Sequence, residues 1–330
     1  MLDQEVIPPY EQIYRLNRRL IQNGDELQHA VITVGGQAVQ YWVNWYLDRY
    51  GPDLPDHRLI TSVDCDYSAR KDDIEAIANT LNVPYCHNND GQPPSLAQFM
   101  LLDKDTGKVK EEDGRLFALP GEPEAANVVD IIDHPSGFTR KDFSLKNIGL
   151  YTSPFKVKAT EPGMPEEHKH ILVLNPVACM RSRFSNLIDL KRRPEVEIAR
   201  INALKIPTYY FLLDQFDRTP FQLARDIYMD LYWLASDKKC LEQQVFWRRW
   251  NGPLNEGQQS KDITLHEILK AVLLFLQKHS NDFDIPQEFL NIELPKKIKK
   301  LEEKFTRYIT LDVDKSARAR KGFERNYRND

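Results

Sequence analysis

What this chain has little of narrows it first. It has only four cysteines in 330 residues. They stand at positions 65, 86, 179 and 240 and form no CxxC pair, so neither a zinc site nor a disulfide framework is signalled, and buried free thiols are expected. No apolar run approaches the roughly 18 residues of a membrane span. The N-terminal MLDQEVIPPYEQ is acidic and polar where a signal peptide would be basic and then apolar, so a cytoplasmic location and no membrane partner are the expectation. Internal repeats are absent. So is a large excess of one charge, since the formal net charge is −4. That small number hides an asymmetry: residues 295–330 hold twelve Lys/Arg against six Asp/Glu, leaving about −10 for the remainder. A basic C-terminal segment of this kind is a candidate nucleic-acid contact.

What is present is 41% apolar residues, ample for a buried core and for two domains. The informative stretch runs from Val31 to Tyr67, VITVGGQAVQYWVNWYLDRYGPDLPDHRLITSVDCDY. Ala30–Val34 is short, apolar and β-branched, and reads as a strand. Gly35-Gly36 then permits a sharp turn into a helix N-terminus, where free backbone N–H groups and the helix dipole attract phosphate. Asp64 and Asp66 fall in the next strand, and alternation puts both carboxylates on one face with Cys65 on the other. Two carboxylates side by side repel unless a cation sits between them, and Mg²⁺ takes one or two such ligands alongside substrate phosphates. A second strand pattern, Ala126–Asp133, carries Asp130 between Val129 and Ile131. Asp133 is its competitor, and the two cannot share a face of a regular strand.

These residues, Val34-Gly35-Gly36 followed by Asp64-Cys65-Asp66 and a later strand carboxylate, resemble the signature of the DNA polymerase β-like nucleotidyltransferase superfamily. GGQAVQYW before SVDCDY looks most like the branch containing bacterial abortive-infection toxins. The resemblance covers residues 25 to 205. It implies an α+β fold, with a small mixed-sheet, palm-like catalytic domain flanked by helices and a mostly helical domain behind it. It also implies a magnesium- or manganese-dependent transfer of a nucleoside monophosphate from an NTP to a hydroxyl acceptor, with release of pyrophosphate. Asp64, Asp66 and Asp130 would be the catalytic and metal-binding residues, while the Gly35-Gly36 backbone, Gln37 and Ser62 would steady the phosphates.

Relatives also place a basic residue on the first helix after the catalytic domain, and here Arg181 and Arg183 are offered, with Arg183 preferred by spacing. An arginine that relatives carry four residues before the first aspartate is replaced by Ile60, with Arg58 nearby. The acceptor is open between RNA, a protein side chain and a small molecule, and a cognate antitoxin is an implied partner. The alternative is the same fold without catalysis, acting as a nucleotide- or nucleic-acid-binding interaction module.

The remaining pattern is mostly helical. Pro9–Gln22 reads as an amphipathic helix whose Arg15, Arg18 and Arg19 form a solvated face or a phosphate contact. Lys71–Leu81 reads as a helix, Ala97–Leu102 as a strand with 115–119 as its partner, and Arg140–Asn147 as a short helix. Glu161–Lys169 reads as a loop and His170–Leu174 as a strand. Asn175-Pro176 starts a helix, and Glu195–Leu204, Thr208–Phe216, Thr219–Ala235, His266–His279 and Pro295–Tyr308 read as further helices. The expected divisions are a catalytic domain over 1–174, a helical domain over 175–308 and a loose basic tail over 309–330. Tyr41, Trp42, Trp45 and Tyr46 on the first long helix are core aromatics or a base-stacking set. His168 and His170 lack a third ligand nearby.

Overall fold

The computed structural model describes residues 5–51, 54–87, 95–156, 167–250 and 264–326. The chain divides into two compact units, Met1–Pro207 and Thr208–Asp330, whereas the sequence reading placed a boundary after Leu174. The helices just beyond Leu174 belong with the sheet. Asn175 Nδ2 donates to the Leu150 carbonyl, and the Tyr50 hydroxyl donates to that of Ala203.

A mixed seven-stranded sheet carries the first unit. Its strands are β1 (Val31–Thr33), β2 (Cys65–Ser68), β3 (Tyr85–His87), β4 (Ser95–Met100), β5 (Val128–Ile132), β6 (Thr152–Lys156) and β7 (Glu167–Leu174), in the order β6-β7-β1-β2-β5-β4-β3. β1 runs parallel to β7 and β2 parallel to β5; the other neighbours are antiparallel. The register across the centre aligns Cys65 with Val129 and Phe99, and Tyr67 with Ile131 and Ala97. All six are fully buried, so this face is the core. Alternation puts the intervening row, Asp66, Asp130 and Gln98, on the opposite face. A polar row beside a fully apolar one is therefore a property of register, and it places two of the acids.

Three helices frame the sheet: α1 (Pro9–Asn23), α2 (Gly35–Trp45) and α3 (Ile74–Leu81). α1 buries Ile13, Leu16 and Leu20. Its Asn17 joins the core through Tyr67, whose hydroxyl donates to Asn17 Oδ1 at 2.8 Å, while Asn17 Nδ2 donates to Thr33 Oγ1 at 2.9 Å. Arg15, Arg18 and Arg19 are neither a solvated face nor a phosphate contact. They pair with Glu11, Glu112 and Asp113 at 2.7–3.3 Å. Trp42 is core, its Nε1 donating to the Leu174 carbonyl at 2.7 Å. After the sheet come α4 (Pro176–Ile188), capped by Asn175 Oδ1 accepting from the Ala178 N–H, and α5 (Pro194–Arg218).

The second unit is helical, with the end of α5 followed by α6 (Phe221–Ser236), α7 (Lys238–Trp250), α8 (Leu265–Lys278) and α9 (Leu294–Asn326). Thr264 and Glu267 close a capping box at the start of α8, and Leu241, Val245 and Phe305 form a buried cluster. α8 is less enclosed than its apolar composition suggested, since Leu274 is exposed.

Several expectations are overturned. Residues 115–119 do not pair with β4; they form two small ribbons with 111–112 and 122–126, and β4 lies between β3 and β5. Glu195–Leu204 and Thr208–Phe216 are one helix that passes through Pro207. The last helix continues to Asn326, so the backbone over 309–326 is helical, as its Ala-, Arg- and Lys-rich composition favours. α7 was not anticipated. Three cysteines are buried, but Cys86 is exposed. Most of the Glu161–Lys169 loop and the side chain of His168 lie outside the described residues, whereas 167–169 extend β7. No helix among the described residues is long and apolar enough to cross a membrane.

Candidate active site

The open face of the sheet forms the floor of a cleft of about 750 Å³ within the first unit. Gly35, Gly36, Ser62, Asp64, Asp66 and Asp130 line it, and so do three arginines, Arg183, Arg192 and Arg200. Asp64 sits in the bend just before β2, and Asp66 is the second residue of that strand. Asp130 is paired with Asp66 across the parallel β2–β5 ladder, and its Oδ1 accepts from Gln98 Nε2 at 2.9 Å. Asp133, the competitor, does not line the cleft. Its carbonyl accepts from Ser68 Oγ and its carboxylate pairs with Arg140 at 3.5 Å.

The glycine pair is dictated by close approach. Gly35 adopts φ +67°, and a Cβ there would lie 2.0 Å from Asp66 Oδ2, so the helix start and the strand acid are packed face to face. A Cβ on Gly36 would lie 2.7 Å from both the Arg200 guanidinium and Ser62 Cβ. No residue larger than glycine fits either place without moving the site.

The segment from Ile60 to Asp64 leads into the acids and is held by its carbonyls. Gln37 Nε2 donates to Ser62 O at 2.7 Å, Asn127 Nδ2 to Val63 O at 2.9 Å, and Arg200 to Ile60 O and Thr61 O at 3.3 and 3.4 Å. Gln37 is therefore not in the cleft as a phosphate ligand; it is buried behind the loop that it fixes. Arg200 was not found from sequence. It brings a guanidinium to the backbone at the very position, Ile60, where an arginine was expected and missing. Its one sequence signal is Glu197 three residues earlier, helical ion-pair spacing.

Arg183 lines the cleft as expected but is committed elsewhere as well: it is buried and pairs with the buried Glu197 at 3.4 Å. Glu197 also faces Arg200 at 3.6 Å. Arg181 stands outside this set, donating to the Gly137 carbonyl at 2.8 Å and covering the Phe138 ring. The side chain of Arg58 lies outside the described residues.

The electrostatics follow from this crowding. Burial, and then the charge of Asp130, push the Asp66 carboxyl up to about 6, against the pull of Arg183. Burial and Asp130 raise Asp64 as well. Burial and the neighbouring Arg183 bring Arg200 down to about 10. Raised carboxyls held near one another fit a hard divalent cation in donor chemistry. They do not form a ready-made cage, because among the described residues no three of His, Cys, Asp and Glu are grouped to hold an ion.

No family model, curated protein or solved structure matches this chain.

Proposed function

We propose that the chain is a metal-dependent nucleotidyltransferase that moves a nucleoside monophosphate from an NTP to a hydroxyl acceptor, releasing pyrophosphate. One observation carries the reading: three aspartates, a glycine-opened helix start and three arginines line a single cleft. Acids hold cations and arginines hold phosphates, so the cleft has both poles that a metal–triphosphate requires.

In this reading Asp64, Asp66 and Asp130 would hold Mg²⁺ or Mn²⁺, which when bound supplies charge neutralisation at the reacting phosphate and lowers the pKa of the attacking hydroxyl. The chain's own residues do the positioning. Arg183, Arg192 and Arg200 bind the polyphosphate and offset its charge as pyrophosphate departs. Asp130 accepts the acceptor's proton. Gln37, Asn127 and Arg200 keep Ile60–Asp64 in place through the backbone carbonyls of Ile60, Thr61, Ser62 and Val63.

Pyrophosphate release from each labelled NTP, with Mg²⁺ and a pool of RNA and small-molecule acceptors, tests the proposal. Turnover should fall by about 10³-fold in Asp64→Ala, equivalent to several kcal/mol of metal-borne stabilisation. Turnover untouched by that substitution, or no release from any NTP, would sink it. A second reading is favoured by the commitment of Arg183 to Glu197 and by the described residues' lack of a three-ligand group: a nucleotide-binding module without catalysis. It expects saturable NTP binding with no pyrophosphate.

A further inference from the structure

Glu197, on α5, is a buried carboxylate that does not itself line the cleft. It faces two guanidiniums that do. Arg183 Nη1 stands 3.4 Å from its Oε2 and Arg200 Nη1 3.6 Å from its Oε1. The other partners of these arginines among the described residues are uncharged. Arg183 Nη2 donates to Ser182 Oγ at 3.2 Å, and Asn186, with its amide turned, accepts from both Arg183 Nη atoms at 3.2 Å. Arg200 donates to the Ile60 and Thr61 carbonyls, and its Nη2 lies where a Cβ on Gly36, at the start of α2, would come within 2.7 Å.

Burial, Arg183 and Arg192 loosen the proton of Arg200, while Glu197 and Asp66 hold it. In the proposed reaction the metal takes Asp66, which leaves Glu197 as the counter-charge. Two buried guanidiniums side by side with no acid between them are strongly unfavourable, and one of the two would turn out of the cleft. The pairs are also long, since charge-assisted hydrogen bonds close at about 2.7–2.9 Å. Contacts of this kind often tighten only when substrate arrives. We infer that Glu197 is a positioning residue, which holds Arg183 and Arg200 together as one clamp for a polyphosphate anion. The inference deepens the proposed transfer and rests on it for the anion's identity, the departing pyrophosphate.

Calorimetric titration of the full chain with pyrophosphate and Mg²⁺ tests the clamp without any turnover. Saturable binding is expected, and Glu197→Gln should weaken it by at least about tenfold. Arg183→Gln should weaken it comparably. The two changes together should cost clearly less than the product of their separate effects, because the carboxylate acts through the arginine. Glu197 is buried, so the wild type is followed as well: in nuclear magnetic resonance spectra the Nε–H signals of Arg183 and Arg200 should move together as pyrophosphate is added. Absent binding, losses that multiply in full, or a signal change confined to Arg192 would each overturn the assignment. So would unchanged or tighter binding in a folded Glu197→Gln, tighter binding meaning that the carboxylate competes with the anion. Glu197-dependent binding with no NTP turned over would leave the clamp standing and the catalysis refuted, whereas turnover with an indifferent Glu197 would do the reverse.

Discussion

Asp66 concentrates the chemistry of the cleft in one side chain. Its folded pKa, about 6, lies above the 3.8 of an unperturbed aspartyl group, so between those values the folded state holds more proton than the unfolded state. Stability therefore falls as pH rises through this window. The protein should be more stable at pH 5 than at pH 7 by on the order of 1 kcal/mol from this group, and Asp66→Asn should remove most of that slope in urea titrations at the two pH values. The opposite slope would mean that the arginines outweigh burial. At Gly35, an added methyl has nowhere to go except into the Asp66 carboxylate, and the positive φ adds about 1–2 kcal/mol for any L side chain. Gly35→Ala should lower both the melting temperature and Mg²⁺-dependent turnover, the latter at least tenfold, whereas Gly51→Ala, also at positive φ but with nothing within 4 Å, should cost stability alone.

At the scale of elements, the segment Ile60–Asp64 owes its shape to side chains from α2, α5 and the residue before β5. Gln37→Leu removes the donor to Ser62 O, and a buried carbonyl stripped of its donor costs about 1–3 kcal/mol. Backbone amide exchange over residues 61–66 should quicken in that variant while exchange in β4 stays unchanged; an unaltered pattern would show that Asn127 and Arg200 suffice.

Part of this fold is legible in the sequence alone. Local signals were: β-branched runs, the glycine pair and the Asn-Pro start of α4 are read within a few residues, and β1, β2, β5, α2 and α4 are found where they were expected. Pairing was not. Residues 115–119 lie nearer to β4 in sequence than does β5, which pairs with it, and local reading cannot tell which wins. Arg200 reaches carbonyls 140 and 139 positions away, a distance over which one sequence carries no signal. The pattern divides Glu195–Leu204 from Thr208–Phe216, and Pro207 between them lacks the N–H of a helical hydrogen bond. Yet Leu204 on one side and Phe211 and Leu212 on the other are buried, and that packing keeps α5 whole.

For the molecule as a whole, the division into Met1–Pro207 and Thr208–Asp330 makes a claim about cooperativity. The first unit holds every residue assigned to the cleft, and the second has its own buried cluster of Leu241, Val245 and Phe305, against which Tyr308 and Ile309 pack. Phe305 is 3% exposed, so Phe305→Ala leaves a cavity and should cost about 3–5 kcal/mol. If each unit is stabilised by its own core, that loss falls on the second alone. Amide exchange in α8 and α9 should accelerate by two to three orders of magnitude, about tenfold per 1.4 kcal/mol, while β1, β2 and β5 keep their protection and the NTP binding proposed for the cleft keeps its affinity. Acceleration of all of these together would show that α5, continuous through Pro207, makes the two units unfold as one.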